Sequence, residues 1–508
     1  MAALLSQVLT EAAKRFEDRP ALVAGPCVVT FSDLDRIGHE VAAWLAGLDI
    51  RRQSEAEPQA PPVVAVVLPP CPEHHALLAG ASRAGWVVAG VNRRLSAEQR
   101  AAALSVIDPD LVVTTPELAA PGRWEQVALQ PADSVADLAD SCRVRGAVPA
   151  KPDHAEGSHN DRERVIVMTS GTTGTPKGAV FTDRQLDVIR RTDVGDTWDG
   201  AGATLMATEL VHIGAMTKLA GTLQSGATTH LLSHWEAGAA LDLVERERMA
   251  VVGGISAQVA MMLRHPSIGE RDFDHVQLVV AGGGPSDPPL IREATEIFGA
   301  SYAVRYSATE SGGLGCAITF DGTEPTGVLG SVGPARPGFE IRIGEDPGEP
   351  LPSGIPGRVW LRSPARMDRW WGNPDATART LRGEWLAMDD HGRLDEQGHL
   401  TLVGRVDDGW VRGGYNVHPL PIEQALRTHP AVADVAVVAR PDPVMGQVGV
   451  AVVVPAAGHA DVAPALLDHA RQRLAKHEVP VEVVEVDALP LTSLHKVDRR
   501  ALRDHVSG

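Results

Sequence analysis

The segment Thr169–Gly178, TSGTTGTPKG, gathers five hydroxyl side chains, three glycines and one lysine into ten consecutive residues. Glycine lets backbone N–H groups approach an anion closely, hydroxyls add donors and Lys177 adds charge. That is chemistry for holding a triphosphate through Thr169, Ser170, Gly171, Thr172, Thr173, Gly174 and Lys177. It is not a Walker A loop, because Pro176 precedes Lys177 and Gly178 follows it where Ser or Thr would bind Mg²⁺. The plain alternative is a flexible Ser/Thr/Gly connection between a strand and a helix; a run of such restricted composition argues against it.

Three further stretches carry reactive groups. YSATES, Tyr306–Ser311, offers an aromatic ring, a hydroxyl and the Glu310 carboxylate, although Ser307 followed three residues later by Glu310 also fits a helix capping box. MDD at 388–390 and GRVDD at 404–408 place carboxylates beside Arg405, and read equally as charged β-turn tips. LPLTSLHKVDRRAL carries Lys496, a residue that near a terminus is ordinarily only solvated.

Together these stretches resemble the signatures of the adenylate-forming superfamily, which comprises acyl- and aryl-CoA ligases, peptide-synthetase adenylation domains and luciferases. The resemblance runs from FSDLDRIGHEVAAWL near the start to the last residues, and the pattern is most similar to that of acyl-CoA ligases. It implies ATP, Mg²⁺ and CoA as reactants. It also implies roles: Tyr306 stacks on adenine beside a wall formed by Gly283 and Gly284, Thr309 bonds the α-phosphate, and Glu310 holds Mg²⁺. Asp390 stands where the family's TGD aspartate binds the ribose hydroxyls, Arg405 reaches the nucleotide, and Asp407 occupies the hinge position. Lys496 aligns with the catalytic lysine of PxTxxGKxxRR, whose ammonium stabilises charge on the carboxylate and α-phosphate as pyrophosphate leaves. RGGYNVHPLPIE is similar to the CoA-ligase form SGGxNIxPxEIE, so Arg412, Gly413 and Gly414 border a pantetheine tunnel.

The chain departs from the family at several positions. The glycine of YGxTE is Ser307, a position that lines the acyl channel; TGD is Met388-Asp389-Asp390, and the GK pair is His495-Lys496. His212 matches the histidine of PLFHxxG, but Glu209 replaces the proline. A carboxylate beside an apolar channel must be paired or face a polar substrate; a nearby salt bridge is the favoured alternative.

Strands and helices must hold these groups in place. VVAVVLP, WVVAGV, DLVVTT, VIVMTS, MAVVGGI and VQLVVAGGG are short apolar runs separated by helical stretches, which predicts parallel sheets covered on both faces. After about Thr326 the runs become short and Gly/Pro-punctuated, as in an antiparallel or barrel-like subdomain, and an α+β unit of about 100 residues follows. The expected architecture is α/β: an N-terminal domain over 1–405, with two α/β lobes and a small β-barrel by resemblance, and a mobile α+β domain over 406–508. Arg51–Pro62 and Ala147–Arg164 read as loops.

Composition sets the outer limits. With 508 residues, 44% hydrophobic and 22% charged, the chain is an ordinary globular protein of several domains. A net charge of −18 gives no electrostatic footprint for nucleic acid or anionic membranes. Aromatic residues are only 4%, so Ala, Val and Leu must build the core. Cys27, Cys71, Cys142 and Cys316 are far apart, which argues against zinc or disulfide frameworks and fits a reducing cytoplasm. The N-terminus has no secretory pattern, and no apolar run is long enough to span a bilayer. A homodimer is compatible with all of this.

The expected function is activation of a carboxylic acid to an acyl-adenylate, followed by thioester formation with CoA. Other acceptors stay open: the phosphopantetheine of a carrier protein, an amine, or an aryl amine attacking activated nitrite, as in ATP-dependent diazotases. A nucleotide-binding protein without turnover is the third alternative.

Overall fold

The computed structural model describes residues 5–48, 57–122, 124–132, 137, 161–170, 176–198, 202–206, 208–322, 328–491 and 497–507. Most of the two loops expected at 51–62 and 147–164 lies outside them. The chain divides into two compact units. The first is Met1–Glu324 with Arg336–Glu340 and Arg362–Leu386; the second is Pro325–Ala335, Ile341–Leu361 and Ala387–Gly508.

In the first unit a seven-stranded sheet runs, in spatial order, Arg369–Trp370, Pro176–Thr182, Glu163–Ser170, Val87–Gly90, Val63–Val67, Leu111–Thr114 and Gln126–Ala128. Every residue of Val63–Val67 and Val87–Gly90 is buried. β-branched side chains suit a pleated surface covered on both faces, which is why these strands read as unbroken apolar runs. The pairs from Glu163–Ser170 outward to Gln126–Ala128 are parallel. The helix Pro72–Ala84 connects two of them, starting on a proline that needs no N–H partner there and ending at Gly85 with φ 77°. Ala97–Ile107 starts at a capping box built by Ser96 and Gln99.

Two four-stranded sheets complete the unit: Cys27–Thr30, Pro20–Ala24, Thr228–Leu231, Ala203–Met206; and Val251–Ile255, Leu278–Gly282, Ser301–Tyr306, Cys316–Phe320. In the latter the first three strands are parallel and the fourth is antiparallel. An amphipathic helix near the N-terminus, Leu5–Phe16, buries Val8, Leu9 and Ala12.

The second unit holds most of a sheet in which Glu340–Ile343, Gly357–Arg362, Trp385–Leu394 and Leu400–Arg405 are successive neighbours, the last two antiparallel. It also holds a five-stranded sheet in which the long hairpin Val432–Asp442/Gly446–Pro455 supplies two neighbouring strands, the second of them also paired with Trp410–Arg412 and Glu482–Glu485. One face of that sheet is covered by Pro419–Arg427 and Ala463–Arg473, and the other by Arg499–Ser507, each over its own apolar cluster. Among the described residues no helix is long and apolar enough to cross a membrane.

Candidate active site

The hydroxyl- and glycine-rich run joins two antiparallel strands. Thr169 pairs with Lys177 and Ser170 with Pro176, so the two ends of the run lie on adjacent antiparallel strands; Gly171, Thr172, Thr173 and Gly174 lie outside the described residues. The plain alternative is a flexible connection between a strand and a helix. Instead Ala179–Phe181 are fully buried in a second strand and the helix begins only at Asp183. Lys177 therefore stands on a strand and not at a helix N-terminus. The Lys177 ammonium stands 5.5 Å from the centre of the Trp370 ring, within cation–π range. At Gly178 a Cβ would come within 2.6 Å of Ile166 Cγ2, and the Gly178 carbonyl accepts from Trp371 N–H at 2.8 Å. Glycine at this position therefore lets the Trp370–Trp371 edge close over the hairpin.

The strands Leu278–Gly282 and Ser301–Tyr306 are parallel neighbours, so Gly283, Gly284 and Tyr306 lie at the same carboxyl end of one sheet. Ligands in open α/β sheets bind at this end. Ser256 Oγ donates to the Gly284 carbonyl at 3.1 Å. Beyond the buried Tyr306 the backbone turns and does not enter a helix, so the capping-box alternative for Ser307 and Glu310 is not realised. The turn is closed by Ser311 Oγ, which accepts from Ala308 N–H at 3.0 Å, and by Gly312 N–H donating to the Thr309 carbonyl at 3.0 Å. The Glu310 carbonyl accepts from Met367 N–H at 2.8 Å, which fixes the backbone that carries its carboxylate.

His212 caps the short helix Ile213–Met216, and its Nε2 lies 3.3 Å from Asn92 Nδ2. Glu209 is nearly buried and is held by two guanidinium groups. Arg93 contacts it through Nε at 3.1 Å and Nη2 at 3.2 Å, and Arg94 through Nε at 2.9 Å. Arg93 also donates to the Ser233 carbonyl at 2.7 Å. Sequence reasoning singled out Glu209 and His212 but not Asn92, Arg93 or Arg94. The signal available was NRRL directly after a buried strand, where two adjacent arginines call for a counter-charge.

In the second unit Asp390 and Arg405 are cross-strand partners, with Nη1 3.6 Å from Oδ1. Asp389 takes Arg405 at 3.4 Å and Arg358 at 3.6 Å, which leaves Asp390 the more buried of the two carboxylates. Asp407 sits in the 3₁₀ turn Val406–Asp408. Its neighbour Asp408 is gripped by Arg499 Nε at 3.2 Å, and Arg499 also donates to Glu423 Oε1 and the Val437 carbonyl, each at 2.7 Å. His391 and His418 meet on this turn, and burial lowers the pKa of both. The hairpin Trp410–Arg412/Tyr415–Val417 turns through Gly413 and Gly414, at φ 56° and 91°. Arg412 is tied inward to the His477 and Val479 carbonyls at 3.1 and 2.6 Å. Lys496 lies outside the described residues.

The sequence matches the family model of AMP-binding enzymes over residues 9–371 and that of the AMP-binding enzyme C-terminal domain over 421–496. A feruloyl-CoA synthase from Amycolatopsis sp is 30% identical over 485 residues, 94% of this chain and 94% of that protein. A fatty acid–[acyl-carrier-protein] ligase, ScoC, from Streptomyces coeruleorubidus is 29% identical over 442 residues, 86% of this chain and 85% of that one. Among solved structures, the amide bond synthetase McbA from Marinactinospora thermotolerans superimposes with a TM-score of 0.83 at 26% identity, covering 99% of this chain and 100% of that one. The chain belongs to the AMP-binding, adenylate-forming enzyme family and is similar to its ATP-dependent, AMP-forming acyl-CoA ligases.

Proposed function

We propose that this protein condenses a carboxylic acid with ATP to an acyl-adenylate, releasing pyrophosphate, and then passes the acyl group to the thiol of CoA. The observation that most supports the second step is the Gly413–Gly414 turn. It is a hairpin tip with two left-handed glycines, and a Cβ at Gly414 would meet nothing within 4 Å. A glycine-edged strand suits the close approach of a narrow pantetheine arm. The second reading, transfer to a carrier protein or an amine, draws on the similarity to a carrier-protein ligase and an amide synthetase.

In this reading the run Thr169–Gly178 with Lys177 takes the triphosphate, Tyr306 and Gly283–Gly284 take adenine, and Asp390 with Arg405 takes the ribose. Thr309 bonds the α-phosphate and Lys496 neutralises charge at the reacting carboxylate. Mg²⁺ supplies charge neutralisation along the phosphates. Among the described residues there is no cluster of three or more acidic, His or Cys groups suited to a metal. Glu310 alone fits Mg²⁺, an ion that keeps waters and shares phosphate oxygens with one or two carboxylates. The domain carrying Lys496, 406–508, turns about Asp407 between the two half-reactions.

The test is pyrophosphate release from ATP over a panel of acids, with CoA present or omitted, for wild type and Lys496→Ala. The expected pattern is acid-dependent pyrophosphate release, thioester only with CoA, and loss of adenylation by several orders of magnitude in the variant. Thioester formation from preformed adenylate should survive in that variant. Equal loss in both half-reactions counts against the turning domain. Identical products with and without CoA point to another acceptor.

A further inference from the structure

Four charged side chains that the sequence did not single out converge beside the Tyr306 turn. Asp193, near the end of the helix Asp183–Val194, binds Lys218 Nζ at 2.8 Å through one oxygen and Arg336 Nη1 at 3.2 Å through the other. Arg305, immediately before Tyr306, faces the same group, feeling Arg336 and Asp193. Two cations thus share one carboxylate, and Arg305 stands in their electrostatic range without bonding to it. Arg305 is half-buried, and among the described residues its guanidinium has neither a hydrogen-bond nor an ion-pair partner. Burial first, and then the neighbouring Arg336, lowers its pKa. A guanidinium in that state is a costly thing to leave without an anion.

The strand neighbours leave room beside it. The residues paired with Arg305 are Gly282 on one side and Ala317 on the other. The cluster also comes close to the segment that follows His212. A Cβ built at Gly313, three residues beyond Glu310, would stand 3.4 Å from Ile213 Cγ1 and 3.6 Å from Lys218 Cε, and Ile213 follows His212 directly. Arg336 N–H in turn donates to the Gly315 carbonyl at 3.0 Å.

We propose that Arg305, supported by Lys218 and Arg336 around Asp193, binds a second anionic group on the acid being activated. The substrate is then an acid with a distal anion, typified by a dicarboxylic acid, and not a plain fatty or aryl acid. The proposal rests on the adenylation reading above and names the substrate class of that same site. A carboxylate fork matches the guanidinium plane in a bidentate, charge-assisted pair. A neutral chain end would offer Arg305 no such pair.

The test is pyrophosphate release by the full chain with ATP and Mg²⁺ over matched acids: aliphatic and aromatic dicarboxylic acids, their monomethyl esters, monocarboxylic acids of equal length, and acids ending in sulfonate or phosphonate. The best doubly anionic acid should exceed its uncharged counterpart in kcat/KM by about 30-fold or more, the range of one charge-assisted pair. Arg305→Leu should shrink that ratio to about threefold or less with the KM for ATP unchanged, while Arg305→Lys retains part of it. Arg305→Gln, which keeps amide donors without charge, serves if the leucine variant fails to fold. A preference for sulfonate or phosphonate upholds the site with a different headgroup. Half-esters or monoacids used as well as diacids overturn it, as does a variant that keeps the acid preference but raises the KM for ATP or CoA. Should no acid release pyrophosphate, the adenylation reading falls by itself. Calorimetric titration of the same diacids then decides the anion site, upheld by binding lost in Arg305→Leu and overturned by no binding to wild type.

Discussion

His391 and His418 face each other edge-on, with ring centroids 5.1 Å apart and planes at 84°, one on each side of the Val406–Asp408 turn in sequence. His418 Nδ1 is buried with no hydrogen-bond partner among the described residues, and its ring packs where Gly404 and Gly409 leave no side chain between. Burial lowers the pKa of both imidazoles from 6.5; His391 also feels Glu345, Arg358 and Asp390, and His418 feels His391 and Glu478.

The sign of the pH effect follows. Both rings stay neutral in the fold at a pH where the unfolded chain has already bound protons. The unfolded state therefore binds more protons below about pH 6.5, and stability is lost as pH falls through that value toward the lower folded values. Wild type should lose more melting temperature than His418→Phe between about pH 7.5 and 5.5. The fully buried His74 and His75, held at about 3 and about 4, push in the same direction in both proteins and cancel in the comparison. Parallel melting curves against pH would remove the pair from the account.

Glu209 gives a second prediction. Its carboxylate neutralises two arginines at once, so Glu209→Gln removes the anion that Arg93 and Arg94 share. The loss should be about 1–3 kcal/mol, less than for a fully buried pair because both arginines keep some solvent. Urea unfolding measures it. A double-mutant cycle between Arg93→Ala and Glu209→Ala should show a coupling of about 1 kcal/mol. Additive effects would mean that the contact contributes nothing.

What the sequence revealed and what it hid divide along physical lines. Val63–Val67 was legible because a strand buried on both faces has to be apolar throughout. The α+β unit at the end of the chain was legible too, and the helix Pro419–Arg427 with the paired strands after it realises it. The hairpin at Thr169–Lys177 was not, since glycine and threonine fit either a strand–helix turn or a strand–strand turn and only the burial of Ala179–Phe181 decides. Arg499 reaching Asp408 and Glu423, and Asp193 collecting Lys218 and Arg336, join residues far apart in the chain. Isolated charges in sequence look solvated, and only tertiary placement shows which of them share a carboxylate.

Glu310→Gln should weaken the Mg²⁺-dependent step. The amide can still coordinate, but it no longer offsets the metal's charge. Its backbone stays in place, because the bond from Met367 N–H is to the main-chain carbonyl. Pyrophosphate release should fall and be partly restored by excess Mg²⁺. Turnover unchanged at all Mg²⁺ concentrations would reduce Glu310 to a turn residue.

The last prediction concerns the acceptor. Gly413 and Gly414 differ in what a side chain would meet: a Cβ at Gly413 would come within 2.6 Å of Met445 Cε, whereas one at Gly414 would meet nothing within 4 Å. Gly414→Leu therefore adds bulk outward, at a conformational penalty of about 1 kcal/mol for its left-handed backbone. The hairpin itself is held by Arg412 on the His477 and Val479 carbonyls and should persist. If a pantetheine arm passes this edge, the leucine blocks it by shape alone. Pyrophosphate release should be retained and the thioester yield should collapse, with the adenylate accumulating or hydrolysing. Gly413→Leu should differ by also displacing Met445, which would show as a lower melting temperature. A Gly414→Leu enzyme that makes thioester at the wild-type rate would take CoA away from this strand and leave a carrier protein or an amine as the leading acceptor.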